Sequence, residues 1–97
     1  MKETKPNDRT TIKIRTKENM YYTFMEFPWE HLEHDENCKT FENVQAYAKY
    51  LAQNKIRDIM CDTNELLYLF PEDRIISRDN VKEIYIEETI ALKPSND

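Results

Sequence analysis

Not one of the 97 residues is glycine, where an average chain of this length holds about seven. Glycine takes positive φ without penalty and lets a backbone approach a phosphate closely. Its absence argues against a P-loop, a dinucleotide-binding fingerprint and a nucleophile elbow, because each is built on glycine. Turns fall to Asn and Asp, the next most tolerant residues. These stand between the patterned segments, at Asn19, Asn37, Asn54, Asn64 and Asp79-Asn80.

The patterned segments describe an α+β chain. Residues 1–10 are polar, include Pro6 and lack periodicity, so they read as a disordered tail, as do residues 93–97. Residues 11–92 form the single domain. In Thr11–Thr16, Ile12 and Ile14 alternate with Lys13 and Arg15, the signature of a half-buried strand. After the turn Lys17-Glu18-Asn19, Met20–Phe27 is rich in β-formers and should pair back as a hairpin. Pro28 ends it, and Trp29–Lys39 is an acidic connection.

Thr40 then stands as an N-cap with Glu42 in the first turn, and Phe41, Val44, Tyr47, Ala48 and Leu51 recur at helical spacing. This predicts a helix running to about Gln53 and closed by Asn54. Ile56–Cys61 reads as a third strand and Leu66–Phe70 as a central strand covered on both sides, followed by a turn at Pro71-Glu72-Asp73. Arg74–Ser77 is a short extended piece. Val81–Glu88 is the last strand, with Ile84 and Ile86 on one face and Tyr85 and Glu87 on the other. The expected architecture is one antiparallel sheet of four to five strands in ββαβββ order, with one amphipathic helix on a face.

No segment approaches the roughly 20 apolar residues needed to span a bilayer, and the charged start has no apolar core of a signal peptide. Cys38 and Cys61 are too few for the disulfide framework of a small secreted domain and read as reduced thiols, which places the chain in the cytoplasm.

Chemistry-bearing motifs are sparse. His31, His34 and Cys38 form H-x2-H-x3-C, with Cys61 available as a fourth ligand, a mixture that zinc accepts. Against this, structural zinc sites usually show two close pairs, and Cys61 stands alone. A Cys38–His nucleophile and base pair lacks any partner to orient the base, and Ser77 and Ser95 lie in no nucleophile motif. The expectation is no enzyme, no cofactor and no metal.

Charge is placed unevenly around a net −5. Residues 1–20 hold six bases against three acids, residues 21–40 five acids against one Lys, and residues 61–97 nine acids against four bases. Such asymmetry steers partners of opposite sign. The acids expected at a partner are Glu30, Glu33, Asp35, Glu36, Glu83, Glu87 and Glu88, with Trp29, Tyr50 and Tyr85 as aromatic contacts. For Trp29, a place in the core is the competing assignment.

Small, acidic, glycine-poor α+β chains are similar in general character to phage-encoded host-takeover proteins, among them anti-CRISPRs and nucleic-acid-mimic inhibitors. That resemblance of type implies an inhibitor that occludes a partner protein, in particular a nucleic-acid-binding one, through spaced carboxylates. Two other readings stand beside it. Lys13, Arg15 and Lys17 along the first hairpin suit phosphates. The last strand, with Ile84 and Ile86, suits self-association into a dimer.

Overall fold

Ile12 and Ile14 lie at the centre of the structure, fully buried in the middle strand of a three-stranded antiparallel sheet. The computed structural model describes residues 8–69 and 73–90. The tail at 93–97, most of the tail at 1–10 and the turn residues Pro71 and Glu72 lie outside them. Strand β1 (Arg9–Thr16) pairs on one side with β2 (Tyr21–Pro28) and on the other with β5 (Val81–Thr89). A second sheet joins only β3 (Leu66–Leu69) and β4 (Arg74–Ser77). The α+β class is as expected, and the five strands divide between two sheets where one was expected.

Ordered structure starts before Thr11. Asp8 is buried and its carbonyl accepts the Trp29 backbone N–H at 3.1 Å, while Arg9 and Thr10 already belong to β1. The polar composition that marks a tail is here satisfied by strand pairing. The β1–β2 turn places Asn19 at φ 66°, a left-handed position carried by Asn in place of glycine. One residue of β2 is extra in the ladder with β1, between the pairs Ile12–Met25 and Lys13–Thr23. This bulge turns Phe24 into the core beside its neighbour Met25.

The connection after β2 forms one helical turn, α1 (Trp29–Leu32), and a 3₁₀ turn over Glu36–Thr40. The main helix α2 spans Val44–Cys61 and is capped by Asn43, whose side chain accepts the Ala46 N–H at 2.8 Å. The helix therefore starts after the expected Thr40 and runs past Asn54 through the segment expected as a strand. Its apolar stripe continues as Ala48, Ala52, Ile56 and Ile59, and Ala52 and Ile59 are buried against β1 and the second sheet. Packing of that stripe outweighs the modest helix penalty of one interior Asn.

Of the expected strand Leu66–Phe70, Phe70 lies outside the described residues, and Leu66–Leu69 is not a central strand. In β3, Leu67 and Leu69 enter the core while Leu66 and Tyr68 face out. The β3–β4 hairpin is thus covered on one face only. No helix among the described residues is long and apolar enough to cross a membrane.

Candidate interaction surfaces

Opposed residues in an antiparallel ladder share a face, so the registers of β1 assign the sheet face turned away from α2. It carries Arg9, Thr11, Lys13 and Arg15 from β1, Tyr21, Thr23 and Glu26 from β2, and Glu83, Tyr85 and Glu87 from β5. The cations of the first strand meet acids of its neighbours. Arg15 Nε lies 2.8 Å from Glu83, Lys13 Nζ 3.9 Å from Glu87 and Arg9 Nε 3.6 Å from Glu26. Lys13 also donates to the Thr23 hydroxyl at 3.2 Å. The basic strand and the acidic last strand, separate in sequence, neutralise each other here. Lys17 lies beyond the end of β1, in the turn. Tyr85 sits among these groups, half-buried, and burial together with the carboxylates of Glu87 and Glu83 and the neighbouring Tyr21 phenol pushes its phenol above the usual value.

The remaining acids do not converge with them. Asp35 caps the 3₁₀ turn by accepting the Asn37 N–H at 2.9 Å and takes a 2.7 Å hydrogen bond from the Tyr47 hydroxyl. Tyr47 followed by Asn37 holds its carboxyl below the usual range. Glu88, on the helix side of β5, accepts from Gln45 Nε2 at 2.7 Å. Glu30, Glu33 and Glu36 are exposed along the connection.

Two of the aromatic candidates separate cleanly. Trp29 is buried, its indole N–H donating to Thr10 at 2.8 Å, so the core assignment holds and a role as surface anchor does not. Tyr50 is exposed on α2 and packs on Phe41 with ring centroids 5.1 Å apart and planes tilted by 47°.

The metal candidates scatter as well. His31 ends in α1, His34 in the turn after it, Cys38 in the 3₁₀ turn and Cys61 in the last residue of α2. They are therefore not three positions on one helix face, and among the described residues no three His, Cys, Asp or Glu side chains gather closely enough to hold an ion. Burial, then the Asp35 and Glu33 carboxylates, raise the Cys38 thiol, the opposite of what a thiolate nucleophile needs.

A cluster of exposed apolar side chains lies where the sequence promised burial. On the outer face of the β3–β4 hairpin, Leu66 is 60% exposed, Tyr68 54% and Ile75 56%, with Tyr68 directly opposite Ile75. Beside them a groove of about 580 Å³ runs between α2 and β2, lined by Phe24, Met25 and Ile59 and rimmed by Lys55, Asp58, Asp62 and Arg78. Glu65 precedes β3, and Asp73 accepts from the Tyr68 hydroxyl. Composition carried a signal for this surface: Leu-Leu-Tyr-Leu is apolar on both strand faces, yet only one core exists to receive it. No model of a known protein family, no curated protein and no solved structure matches the chain.

Proposed function

We propose that the chain is a non-enzymatic binding protein that occludes the surface of a partner protein, with the outer face of the β3–β4 hairpin as its contact surface. The observation that carries this reading is the cluster of Leu66, Tyr68 and Ile75, three large apolar side chains exposed side by side on a two-stranded sheet. Antiparallel sheets normally turn polar residues to water, and contiguous exposed apolar patches mark interaction sites. Aromatic and aliphatic anchors with a polar rim match the composition of interface hot spots. The rim here carries both signs, Asp58, Asp62, Glu65 and Asp73 beside Lys55 and Arg78. The complementary partner presents apolar side chains flanked by charged groups, and inhibition follows from covering that surface.

Mimicry of a nucleic acid by spaced carboxylates is the weaker form of this reading. Glu83 and Glu87 face Arg15 and Lys13, and Asp35 and Glu88 are engaged by Tyr47 and Gln45. Direct nucleic-acid binding by Lys13 and Arg15 meets the same neutralisation from the other side.

The test is capture of a partner from the native host by the wild-type chain and by a Leu66→Asp/Ile75→Asp variant, with Arg15→Glu as a control on the other sheet. The expected result is one partner retained by wild type and Arg15→Glu and lost by the hairpin variant. Equal capture by all three removes the hairpin as the contact surface.

A further inference from the structure

We infer that the chain forms a two-fold dimer by pairing β5 with β5 of a second copy, making one six-stranded sheet. Strand β5 is nine residues long, and among the described residues it hydrogen-bonds in a ladder only to β1. A long, unpaired edge is a template for another strand. Proteins usually blunt such edges with outward charges, but on β5 the two central acids lean inward over the sheet, Glu83 to Arg15 and Glu87 to Lys13. The edge between them therefore carries Ile84, Tyr85 and Ile86, all half-buried, without a guarding charge of its own.

An antiparallel contact of an edge with itself is isologous, so one register fixes every pair twice. Centred on Tyr85, that register sets Ile84 opposite Ile86 of the second copy on the helix side of the sheet. On the other side it sets Glu83 opposite Glu87, each already neutralised by a cation of its own chain. Just beyond, Lys82, the extra residue of β5 in its ladder with β1, approaches Glu88 of the second copy. The strand is thus complementary to itself at Ile84–Ile86 and Lys82–Glu88, while the Glu83–Glu87 pairs depend on Arg15 and Lys13 for their neutralisation.

The helix layer supports the same axis. Grooves of about 490 and 350 Å³ open at the two ends of β5, the first lined by Gln45, Ala46, Lys49, Ile86 and Glu88, the second by Met60, Leu67, Lys82 and Ile84. Met60 is 72% exposed. The two-fold that pairs Ile84 with Ile86 brings the end of β5 nearest Met60 against the partner end that borders the first groove. Met60 and the Ala46 and Ile86 side chains of that groove then supply contact beyond the ladder itself, which a strand pair alone lacks for stable association.

The experiment is sedimentation or light scattering of the full chain with charge variants at exposed positions. Wild type is expected at twice the 11.8 kDa chain mass. Lys82→Glu and Glu88→Lys each place like charges together at both symmetric contacts and are expected to weaken the dimer about tenfold or more. The Lys82→Glu/Glu88→Lys double variant restores the opposite pairing and the dimer. A mixture of the two single variants forms a heterodimer. Circular dichroism of each single variant confirms an intact monomer. A wild-type chain that stays monomeric at the highest soluble concentration overturns the inference, and so does a dimer that ignores both single substitutions or fails to return in the swap.

Discussion

The Trp29 indole N–H donates to the Thr10 hydroxyl at 2.8 Å, both groups buried, across nineteen positions of sequence. With the Asp8 carbonyl accepting the Trp29 backbone N–H, it pins the start of β1 to the entry of α1. Of the two places the sequence offered for Trp29, surface anchor or core, it takes the core, as the bolt that closes the first hairpin against the helical connection.

Trp29→Phe keeps most of the apolar contact but leaves the Thr10 hydroxyl without its donor in a buried site, at a cost of about 1–3 kcal/mol. Thr10→Val added to Trp29→Phe costs little more, because the remaining polar partner is gone too. Urea denaturation of the two single variants and the double variant measures the coupling. Strictly additive losses would mean that the two groups do not interact in solution.

The β1–β2 turn tests the glycine-free economy of the chain. Asn19 holds φ 66°, where most side chains cost about 1–2 kcal/mol. Asn19→Gly is expected to hold or raise stability, and Asn19→Val to lower it by about that amount, read from denaturation midpoints. Loss of stability on Asn19→Gly would point instead to the contact of the Asn19 side chain with Arg15.

What sequence reasoning captured and missed follows one rule. The strands β1, β2 and β5 were legible because each has one core face and one polar face, and Ile12, Ile14, Ile84 and Ile86 mark the period of two directly. The helix was legible in its middle and not at its ends. Thr40 and Asn54 carry local signals for a start and a stop, but Asn43 supplies the cap that is used, and Ile59 finds a core that only the folded chain provides. Sheet membership was not legible at all, since nothing local distinguishes a β3 joined to β1 from a β3 joined only to β4. Likewise the acids were visible as a number, while their pairing with Arg15 and Lys13 depends on a ladder joining residues about seventy positions apart.

That ladder makes a prediction at Arg15. Arg15→Glu sets two carboxylates opposite each other at the Glu83 pair, a destabilisation of about 0.5–1 kcal/mol once partial exposure is allowed for. Arg15→Glu/Glu83→Arg is expected to recover most of it. A thermal melt in low salt shows the effect, and it shrinks as salt rises. No recovery in the swapped pair would mean that the pair contributes nothing.

Asp35 is one of the carboxyls that make stability sensitive to acid. Its carboxyl is lowered from 3.8 mainly by the Tyr47 hydroxyl, and the same bond raises the Tyr47 phenol above 10.0. A carboxyl lowered on folding stabilises fully above its unfolded value and loses that contribution as pH falls through its folded value. A phenol raised on folding contributes fully below its unfolded value and loses it as pH rises through the folded one. The bond therefore contributes fully across neutral pH and fades at both extremes. In Tyr47→Phe the Asp35 titration, followed by NMR, moves up toward 3.8, and the stability gap to wild type closes in acid. An unmoved Asp35 titration would show that the bond is not formed in solution.

Arg78 joins the two layers of the fold. Its backbone N–H donates to the Glu65 carbonyl at 2.7 Å, Nη1 donates to the Ile59 carbonyl at 2.6 Å, and Nε donates to the Asn64 carbonyl. The guanidinium thus adds a second donor to a carbonyl in the last turn of α2, which has no basic residue of its own there, and ties it to the loop leading into the hairpin. Nη2 is buried without a partner among the described residues, so the clamp already carries a desolvation cost. Arg78→Ala removes both side-chain bonds and is expected to cost about 2–3 kcal/mol, because hydrogen bonds from a charged donor exceed neutral ones. Arg78→Lys recovers only part, since an ammonium cannot reproduce the planar fork. Hydrogen exchange separates the clamp from a general loss of stability. In Arg78→Ala the amides at the end of α2 and in β3 should exchange faster than those of β1, whereas a uniform acceleration would mean that Arg78 acts on the whole fold and not on this junction.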